Sequence, residues 1–423
     1  MRSGTGWGMS NEIDAASAFF MEAFTPEHRN DPYVLYRRMR EHAAFVHTDL
    51  EIHLAFGHAE CWAALRNPAL SSDERHSELM RRGAETDDRI AGLMDQRPLL
   101  VFMDPPDHTR LRNLVAQGFT PRRVASIRDH IQAVTDELID EIDAAAGDGP
   151  VDLVERLAYP LPVRVICGLL GVPASDHELF GAWSAALTKG VDPGVLRSEE
   201  DNRAMEVATV ELNAYTADLL ARLRRAPADN LLSDLAARSG VGVDDHLTDD
   251  ELIDLVTLLL IAGHETTVNL IGNGVVALLD HPDEMQAWRD DPALGERAVD
   301  ELLRFDSPLQ MVQRTATEDV EIASSIIPAG HQIIVMLGAA NRDPEVFPEP
   351  DRLDLRRANA NRHVAFGGGI HHCLGAALAR TEGEVAITSL LRRFATVEAA
   401  GEAPIRSTFN LRGREHLPLT LRR

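Results

Sequence analysis

The stretch from Thr248 to Leu279 limits the possible folds of this chain more than any other. It opens with TDDE, where the Thr248 side chain can cap the free amides of a helix and Glu251 can reach back, closing a capping box. A helix that continues to Leu279 is roughly 48 Å long at about 1.5 Å per residue. Because that length crosses a whole domain, we expect the other elements to pack around it.

The apolar face of this helix is interrupted at its centre. The face is formed by Leu252, Leu255, Leu259, Gly263, Thr266 and Leu270. The sequence AGHETT at 262–267 brings a carboxylate and two hydroxyls into it. Polar groups in a central helix need partners or a purpose, so a locally wet groove and a functional site are both open here.

Two known patterns in the same helix are incomplete. His264 and Glu265 begin the zinc-protease pattern H-E-x-x-H, but Val268 stands where the second histidine is required. Residues 272–277, GNGVVA, match the letters of the dinucleotide fingerprint but lie inside a helix rather than at a strand-to-helix turn. We interpret both matches as chance.

Cys373 differs from the two other cysteines in its surroundings. Cys61 and Cys167 lie in apolar helical patterns and are predicted to fill the core. Cys373 follows the glycines at 367–369 and precedes a helical pattern over 374–394. Free amides at the start of that helix would lower the pKa of the thiol, and the glycines would let the backbone bend around the sulfur and approach a flat macrocycle.

Three kinds of site could use such a thiol. A zinc site would need cysteine partners at ligand spacing, which the sequence lacks. A cysteine nucleophile with a nearby histidine stays open, although it gives the three glycines no role. A thiolate ligand to haem iron explains more, because Gly375 would then let the helix lie close beneath the ring.

The segment FGGGIHHCLG at 366–375 resembles the haem-binding loop of the cytochrome P-450 monooxygenases, F-x-x-G-x-x-x-C-x-G. The resemblance assigns the iron ligand to Cys373 and places a further set of residues against the haem: Phe366, Gly367, Gly369, His371 and Gly375. The sequence AGHETT resembles the family's oxygen-activation motif. It implies that Ala262 and Gly263 lie against the haem, with Glu265 as the acid and Thr266 as the alcohol.

Two further segments are similar to the family. Glu301 and Arg304 match its E-x-x-R pattern, and Arg352 in PEPDRL occupies the position of its third network member. The E-x-x-R pattern also begins at Glu78, Glu200 and Glu349, where a solvated ion pair is the expected structure. The segment DPPDHTRLR at 104–112 and other matches imply propionate contacts from a set of basic residues: His108, Arg112, Arg314 and His371.

The resemblance implies a mainly α fold with small β-sheet regions, as one large cytochrome P-450-type domain over 25–423. Residues 1–24 are predicted to be a flexible extension. The periodicity itself predicts helices at 31–43, 58–66, 121–145, 160–170, 201–226, 248–280, 292–305 and 374–394. It predicts strands within 45–56, 319–338 and 405–421, with an irregular connection over 339–363.

The implied activity is that of a haem-thiolate monooxygenase. Its cofactor is haem b, iron protoporphyrin IX, and its electron donors are a ferredoxin and a ferredoxin reductase, as in soluble bacterial members of the family. An arginine patch near the thiolate would favour that docking; its members are Arg110, Arg112, Arg122, Arg123, Arg362 and Arg380. A haem-thiolate peroxygenase or oxidative coupling enzyme is the alternative, and a non-catalytic helical ligand-binding protein is a further one.

The resemblance places the substrate pocket in five regions: 72–103, 175–200, Ile261 with Ala262, 309–312 and 409–411. These regions are mostly apolar, with polar points such as Gln310 and Asn410. They favour a bulky apolar molecule with a few oxygens, of polyketide, macrolide, terpenoid or steroid type.

Charge and composition exclude other classes of function. The formal net charge of −25 argues against nucleic-acid binding. The N-terminus lacks the pattern of a secretory signal, and the most apolar run, 252–263, is shorter than the roughly 20 residues that span a bilayer. We therefore expect a cytoplasmic monomer without membrane attachment. The spacing of His42, His47, His53 and His58 does not indicate a metal site.

Overall fold

A computed structural model describes residue 22 and residues 25–47, 51–147, 149–191, 197–237 and 247–423. The predicted N-terminal extension, residues 1–24, lies outside these residues except for Glu22. Within this part, the chain is mainly helical and carries small sheets, as the sequence predicts.

The helices follow the predicted bounds closely where the apolar period is strong. They are α1 (Pro26–Asn30), α2 (Pro32–His42), α3 (His58–Arg66), α4 (Glu78–Ala84), α5 (Asp88–Asp95), α6 (Asp107–Ala116), α7 (Pro121–Ala145), α8 (Pro160–Leu170), α9 (His177–Thr188), α10 (Glu199–Arg225), α11 (Leu231–Ala237), α12 (Asp249–Asp280), α13 (Pro282–Asp290), α14 (Gly295–Phe305), α15 (Leu337–Ala340) and α16 (Ala376–Arg393).

Several of these helices were not predicted. Helix α9 is apolar on most sides, which hides its period, and α13 buries only Met285 and Trp288. Helix α6 is rich in polar residues, yet its buried positions His108, Leu111 and Val115 have helical spacing. That spacing was the signal that could have identified it.

In the described part of the chain, the strands are short and form three sheets. They are β1 (Phe45–His47), β2 (Ile52–Ala55), β3 (Leu70–Ser71), β4 (Val151–Asp152), β5 (Val312–Ala316), β6 (Val320–Ile322), β7 (Ser325–Ile327), β8 (Gln332–Val335), β9 (Thr396–Ala399) and β10 (Pro418–Arg422). The largest sheet has the order β1-β2-β8-β5-β3, and only the β2–β8 pair in it is parallel. The other sheets are β4-β10-β9 and the β6–β7 hairpin.

The two predictions about non-helical segments differ in how well they agree with the structure. The predicted strand region 405–421 contains a strand only at Pro418–Arg422, and Ile405 and Arg414 form a single isolated bridge before it. The prediction of an irregular connection over 339–363 is confirmed, since turns dominate it after α15.

The chain divides into two compact units. The first comprises residues up to 104, 309–352 and 362–373; the second comprises 105–308, 353–361 and 374–423. The core of the first unit gathers around the five-stranded sheet and includes Cys61, Ile333 and Val335, which are fully buried. The second unit contains Cys167, also fully buried, so both cysteines fill cores as predicted.

Helix α12 is the longest element of the second unit. Its predicted capping box is present: the Glu251 amide donates to Thr248 Oγ1 at 3.1 Å, and the Thr248 amide donates to Glu251 Oε2 at 2.8 Å. By length and composition α12 alone among the described helices could cross a bilayer, but 72% of its most apolar window is buried inside the protein. That burial is typical of a core helix.

Candidate functional site

The loop before α16 leaves the Cys373 side chain exposed. The Cys373 amide donates to the Phe366 carbonyl at 2.8 Å, which closes the loop over a short 3-10 turn at Gly369–His371. Gly367 and Gly369 have φ angles of +66° and +64°, a region that side chains avoid. A Cβ on Gly369 would also clash with the Leu65 carbonyl. The loop therefore requires these two glycines, as the sequence indicated.

The helix after this loop begins two residues later than predicted. Helix α16 starts at Ala376 with Gly375 as its N-cap, not at Leu374. A Cβ added to Gly375 would meet nothing within 4 Å, so open space adjoins this glycine. The predicted freedom for a flat group to approach Gly375 is consistent with that space.

The centre of α12 opens on one side. Ala262 is exposed and Thr266 is half-buried, although most of their neighbours in the helix are buried. The Thr266 hydroxyl donates to the Ala262 carbonyl at 2.8 Å, and the Thr267 hydroxyl donates to the Gly263 carbonyl at 3.3 Å. Such i−4 bonds loosen a helix locally. The second unit thus presents an exposed alanine and an adjacent hydroxyl on one helical face.

Glu265, the residue before Thr266 on α12, is almost fully buried. Both of its carboxylate oxygens accept a hydrogen bond from Arg406 Nη1, each at 2.8 Å. The sequence reasoning missed Arg406, which lies 141 residues further along the chain. No local pattern signals such a contact.

His264 is buried beside this pair and is neutral. Its Nδ1 lies 2.8 Å from the Ser184 hydroxyl, and its ring packs edge-on against Tyr159 at a centroid distance of 4.6 Å. Burial and then the charge of Arg406 lower the pKa of His264 to about 3. His264 and Glu265 thus have Ser184, Tyr159 and Arg406 as their partners.

The Glu301 network is buried, but one predicted member is wrong. Arg304 donates to Glu301 through Nε at 2.6 Å and Nη2 at 2.7 Å. The third member is Arg357, whose Nε donates to Glu301 at 3.0 Å, and the Asp354 amide adds a bond of 3.0 Å. Arg352, predicted for this place, is 59% exposed and pairs with Glu349 at 3.4 Å.

Arg352 and Arg357 lie in the same irregular stretch, where sequence spacing does not define which side chain turns inward. The buried positions Leu353, Leu355 and Arg357 alternate with more exposed ones. This two-residue alternation places Arg357 on the inner side, and it was the signal available in the sequence.

The basic residues predicted to meet the propionates belong to both units. Arg314 and His371 are in the first unit, and His108 and Arg112 are in the second. The Arg314 side chain is buried on β5, and burial lowers its pKa to about 10. Its guanidinium donates to the Gln313 carbonyl at 2.7 Å. A buried cation of this kind would be stabilised by a carboxylate ligand.

Two predictions about peripheral residues change. Gln310 is buried and accepts a hydrogen bond of 3.0 Å from the Tyr36 hydroxyl, so it supports the core of the first unit rather than offering a polar point to a ligand.

Of the predicted arginine patch, three members are paired with carboxylates: Arg110 with Glu251, Arg123 with Asp229 and Arg380 with Asp300. Their charges are therefore partly neutralised. Residues 192–196 of the predicted pocket lie outside the described part.

Two of the N-terminal histidines meet a third. His47 and His53 are cross-strand partners, and His53 Nε2 lies 3.4 Å from His331 Nδ1. Burial and then the two neighbouring rings lower the pKa of His53 to about 3. Among the described residues, no group of three or more histidine, cysteine, aspartate or glutamate side chains is arranged to hold a metal ion.

Each unit by itself presents groups that suit a haem with a thiolate ligand. The first unit offers an exposed thiol in a tight glycine loop and the buried cation of Arg314. The second offers the exposed Ala262 and the open space at Gly375. Such a group needs a thiolate ligand, a cation for its anionic carboxylates and an apolar face, so the residues present fit it.

Known proteins are similar to this chain in sequence. The family described as Cytochrome P450 matches residues 200–413. Vitamin D(3) 25-hydroxylase of Pseudonocardia autotrophica is 44% identical over 368 residues, covering 86% of each chain. The 6-deoxyerythronolide B hydroxylase of Saccharopolyspora erythraea is 43% identical, covering 75% of this chain and 76% of its own.

Solved structures agree over nearly the whole length. Ligand-free CYP164A2 of Mycobacterium smegmatis superimposes with a TM-score of 0.87 at 36% identity. The alignment covers 95% of this chain and 99% of the other. The mainly helical architecture with small sheets is therefore shared along the chain and not only around the cysteine loop.

Proposed function

This chain belongs to the cytochrome P450 family, and from that premise we propose that it inserts one oxygen atom from O2 into a C–H or C=C bond of a bulky apolar small molecule. As a family member it is a haem-thiolate monooxygenase, an oxidoreductase that incorporates molecular oxygen. The observation that carries the proposal is the cysteine loop, in which two glycines of positive φ hold an exposed thiol.

The proposed iron ligand is Cys373. When bound, haem b supplies the activation of dioxygen, and a thiolate ligand favours cleavage of the O–O bond. The loop supplies the sulfur in a fixed backbone turn, closed by the bond between the Cys373 amide and the Phe366 carbonyl. Around it, we assign haem contacts to the other loop residues, Phe366, Gly367, Gly369, His371 and Gly375.

Anchoring of the haem carboxylates is assigned to His108, Arg112, Arg314 and His371. Arg314 has the strongest support, because its guanidinium is buried and its pKa is lowered to about 10. A bound carboxylate would compensate the positive charge that Arg314 carries in its buried position. Ala262 and Gly263 would face the ring from the open side of α12.

Proton delivery is assigned to Thr266 and Glu265. The Thr266 hydroxyl donates to the Ala262 carbonyl at 2.8 Å. Its oxygen lone pairs stay available to accept a proton, or a hydrogen bond from a water. Glu265, the residue directly before Thr266 in the same helix, is assigned to hold and replenish the proton. The presence of an acid and an alcohol at these positions favours a monooxygenase over the alternative of a peroxygenase or coupling enzyme.

The substrate class is proposed from the relatives. One is named a vitamin D(3) hydroxylase and another a 6-deoxyerythronolide B hydroxylase, so a steroid-like or macrolide-like secondary metabolite is the proposed substrate class. We further propose a ferredoxin and a ferredoxin reductase as electron donors, a monomer, a cytoplasmic location, and a domain that extends over 25–423.

The carbon monoxide spectrum of the reduced protein tests this function. We expect the strongly red-shifted Soret band of a thiolate-ligated haem, which Cys373→Ala should abolish. Cys61→Ala and Cys167→Ala are matched controls that should keep the band, since both thiols are buried in cores. A Cys373→Ala protein with an unchanged spectrum would overturn the assignment. A screen for compounds that displace iron-bound water from the haem would then define the substrate class.

A further inference from the structure

The ion pair between Glu265 and Arg406 is asymmetric in its exposure. The Glu265 side chain is 3% exposed, whereas that of Arg406 is 22% exposed. Both carboxylate oxygens bind the same guanidinium nitrogen at 2.8 Å. Arg406 therefore covers the carboxylate and connects it to solvent.

Arg406 is held in place by the segment that carries it. Its amide donates to the Gly413 carbonyl at 3.0 Å, and its Nε donates to the Arg414 carbonyl at 3.1 Å. Arg412 anchors the same segment, through an ion pair with Asp306 at 2.7 Å and a carbonyl that accepts from Asn273 at 3.0 Å. The guanidinium is thus fixed by backbone contacts and not by Glu265 alone.

The other titratable groups around the pair do not supply protons near neutral pH. Burial raises the pKa of Tyr159 to about 12, with a further rise from the charge of Glu265. Burial lowers the pKa of His264 to about 3, so its ring stays neutral. Arg414 is a third cation of this segment, and its guanidinium donates to the Ala403 carbonyl rather than to Glu265.

We propose that Arg406 is a positioning residue for proton delivery: it orients the Glu265 carboxylate, supplies its countercharge, and marks the side from which protons reach it. The inference rests on the proposed function, in which Glu265 replenishes the proton at Thr266. A buried carboxylate without a cation would be costly, and the Arg406 guanidinium supplies the charge that compensates it. The two hydrogen bonds from Arg406 Nη1 fix the orientation of the carboxylate.

The test compares Arg406→Gln, Arg406→Lys and wild type in the haem-loaded protein. We expect Arg406→Gln to lower product formed per reduced nicotinamide by about tenfold or more, with more hydrogen peroxide released. Arg406→Lys keeps the charge without the planar fork and should restore part of the yield. Arg414→Gln, in the same segment, controls for general loosening and should keep the wild-type yield.

A double variant shows whether Arg406 acts through Glu265. If it does, Glu265→Gln with Arg406→Gln should couple no worse than Glu265→Gln alone, because effects within one interacting pair are not additive. Additive losses, or the same loss in Arg414→Gln, would show that Arg406 merely supports the fold.

Infrared difference spectra of the oxidised, substrate-free protein give a readout independent of turnover. After subtraction of the Glu265→Gln spectrum, the carboxylate band of Glu265 should be shifted in Arg406→Gln relative to wild type, because the carboxylate loses its two hydrogen bonds from Arg406. An unchanged carboxylate band and unchanged yield in Arg406→Gln would overturn this inference alone. An unchanged yield in Glu265→Gln would overturn the proposed role of Glu265 and this inference with it. Neither result touches the Cys373 assignment, which the carbon monoxide spectrum tests separately.

Discussion

Neighbouring hydroxyls on α12 have different surroundings. Thr266 is half-buried next to the exposed Ala262, whereas Thr267 is 2% exposed and fully enclosed. Both donate to the carbonyl four residues earlier, so their backbone contacts are equivalent. Exposure, rather than hydrogen bonding, sets Thr266 apart as the residue that can meet a ligand.

Replacing Thr266 should uncouple the reaction without removing the cofactor. Thr266→Ala is expected to bind haem and substrate and to consume reduced nicotinamide through the partner proteins. Product per electron should fall and hydrogen peroxide should rise, because the proton no longer arrives in time. Peroxide and product measured per nicotinamide give the result, and peroxide added directly should bypass much of the defect.

Thr267→Ala is the matched control for this prediction. It removes an equivalent i−4 hydrogen bond from the adjacent residue and should leave the coupling unchanged. If Thr266→Ala kept the wild-type yield without added peroxide, the proposed acid–alcohol relay would be wrong.

At the scale of elements, helix α14 is joined to the irregular stretch after α15 by buried charge. Glu301 and Arg304 are both 0% exposed, and Arg357 reaches them from a segment with little regular structure. The Asp354 amide also donates to the Glu301 carboxylate, and the Leu355 amide donates to the Glu284 carboxylate. Hydrogen bonds to side chains of α13 and α14 thus fix the conformation of a stretch that has little regular structure of its own.

Breaking this network should destabilise the protein in a graded way. Glu301→Ala leaves two buried guanidiniums without their carboxylate, at a cost of roughly 3–5 kcal/mol, so we expect insoluble or haem-free protein. Arg357→Ala leaves the Arg304 contact in place and should cost roughly 1.5–3 kcal/mol, the value of a charge-assisted hydrogen bond. Denaturant unfolding and haem content measure both effects.

Arg352→Ala is the control from the same stretch. Its side chain is 59% exposed, so the change in unfolding free energy should stay within about 0.5 kcal/mol. A larger loss for Arg352→Ala than for Arg357→Ala would contradict the network observed here.

At the scale of the whole molecule, the free energy of unfolding depends on pH through buried titratable groups such as Glu382. Glu382 on α16 is 2% exposed, and burial raises its pKa to about 8. Because the folded pKa lies above the ordinary value of 4.5, the folded state binds the proton more tightly than the unfolded state. This contribution to stability is complete below about pH 4.5 and is lost as the pH rises through about 8.

Glu382→Gln should therefore flatten the alkaline side of the stability profile. The amide has nearly the same shape as the protonated acid and does not ionise. The Glu382→Gln protein should therefore lose less unfolding free energy than wild type between about pH 5 and 8. Unfolding free energies measured across this range test the prediction. Parallel pH profiles for the two proteins would show that Glu382 does not titrate as described.

Local features of this protein could be predicted from the sequence because they depend on neighbours in the chain. The capping box of Thr248 and Glu251, the bond from Thr266 to Ala262, and the glycine loop before Cys373 each involve residues at most a few positions apart. Helix bounds at 58–66, 121–145 and 160–170 agree for the same reason, since apolar periodicity is a property of one segment.

Tertiary structure alone decided which distant side chains pair. Arg406 reaches Glu265 across 141 residues, and Arg357, rather than Arg352, turns inward to Glu301. Gln310, expected to face a ligand, supports the Tyr36 hydroxyl instead. A buried charge or amide is stable only where packing brings its partner, and sequence spacing does not encode the meeting of segments far apart in the chain.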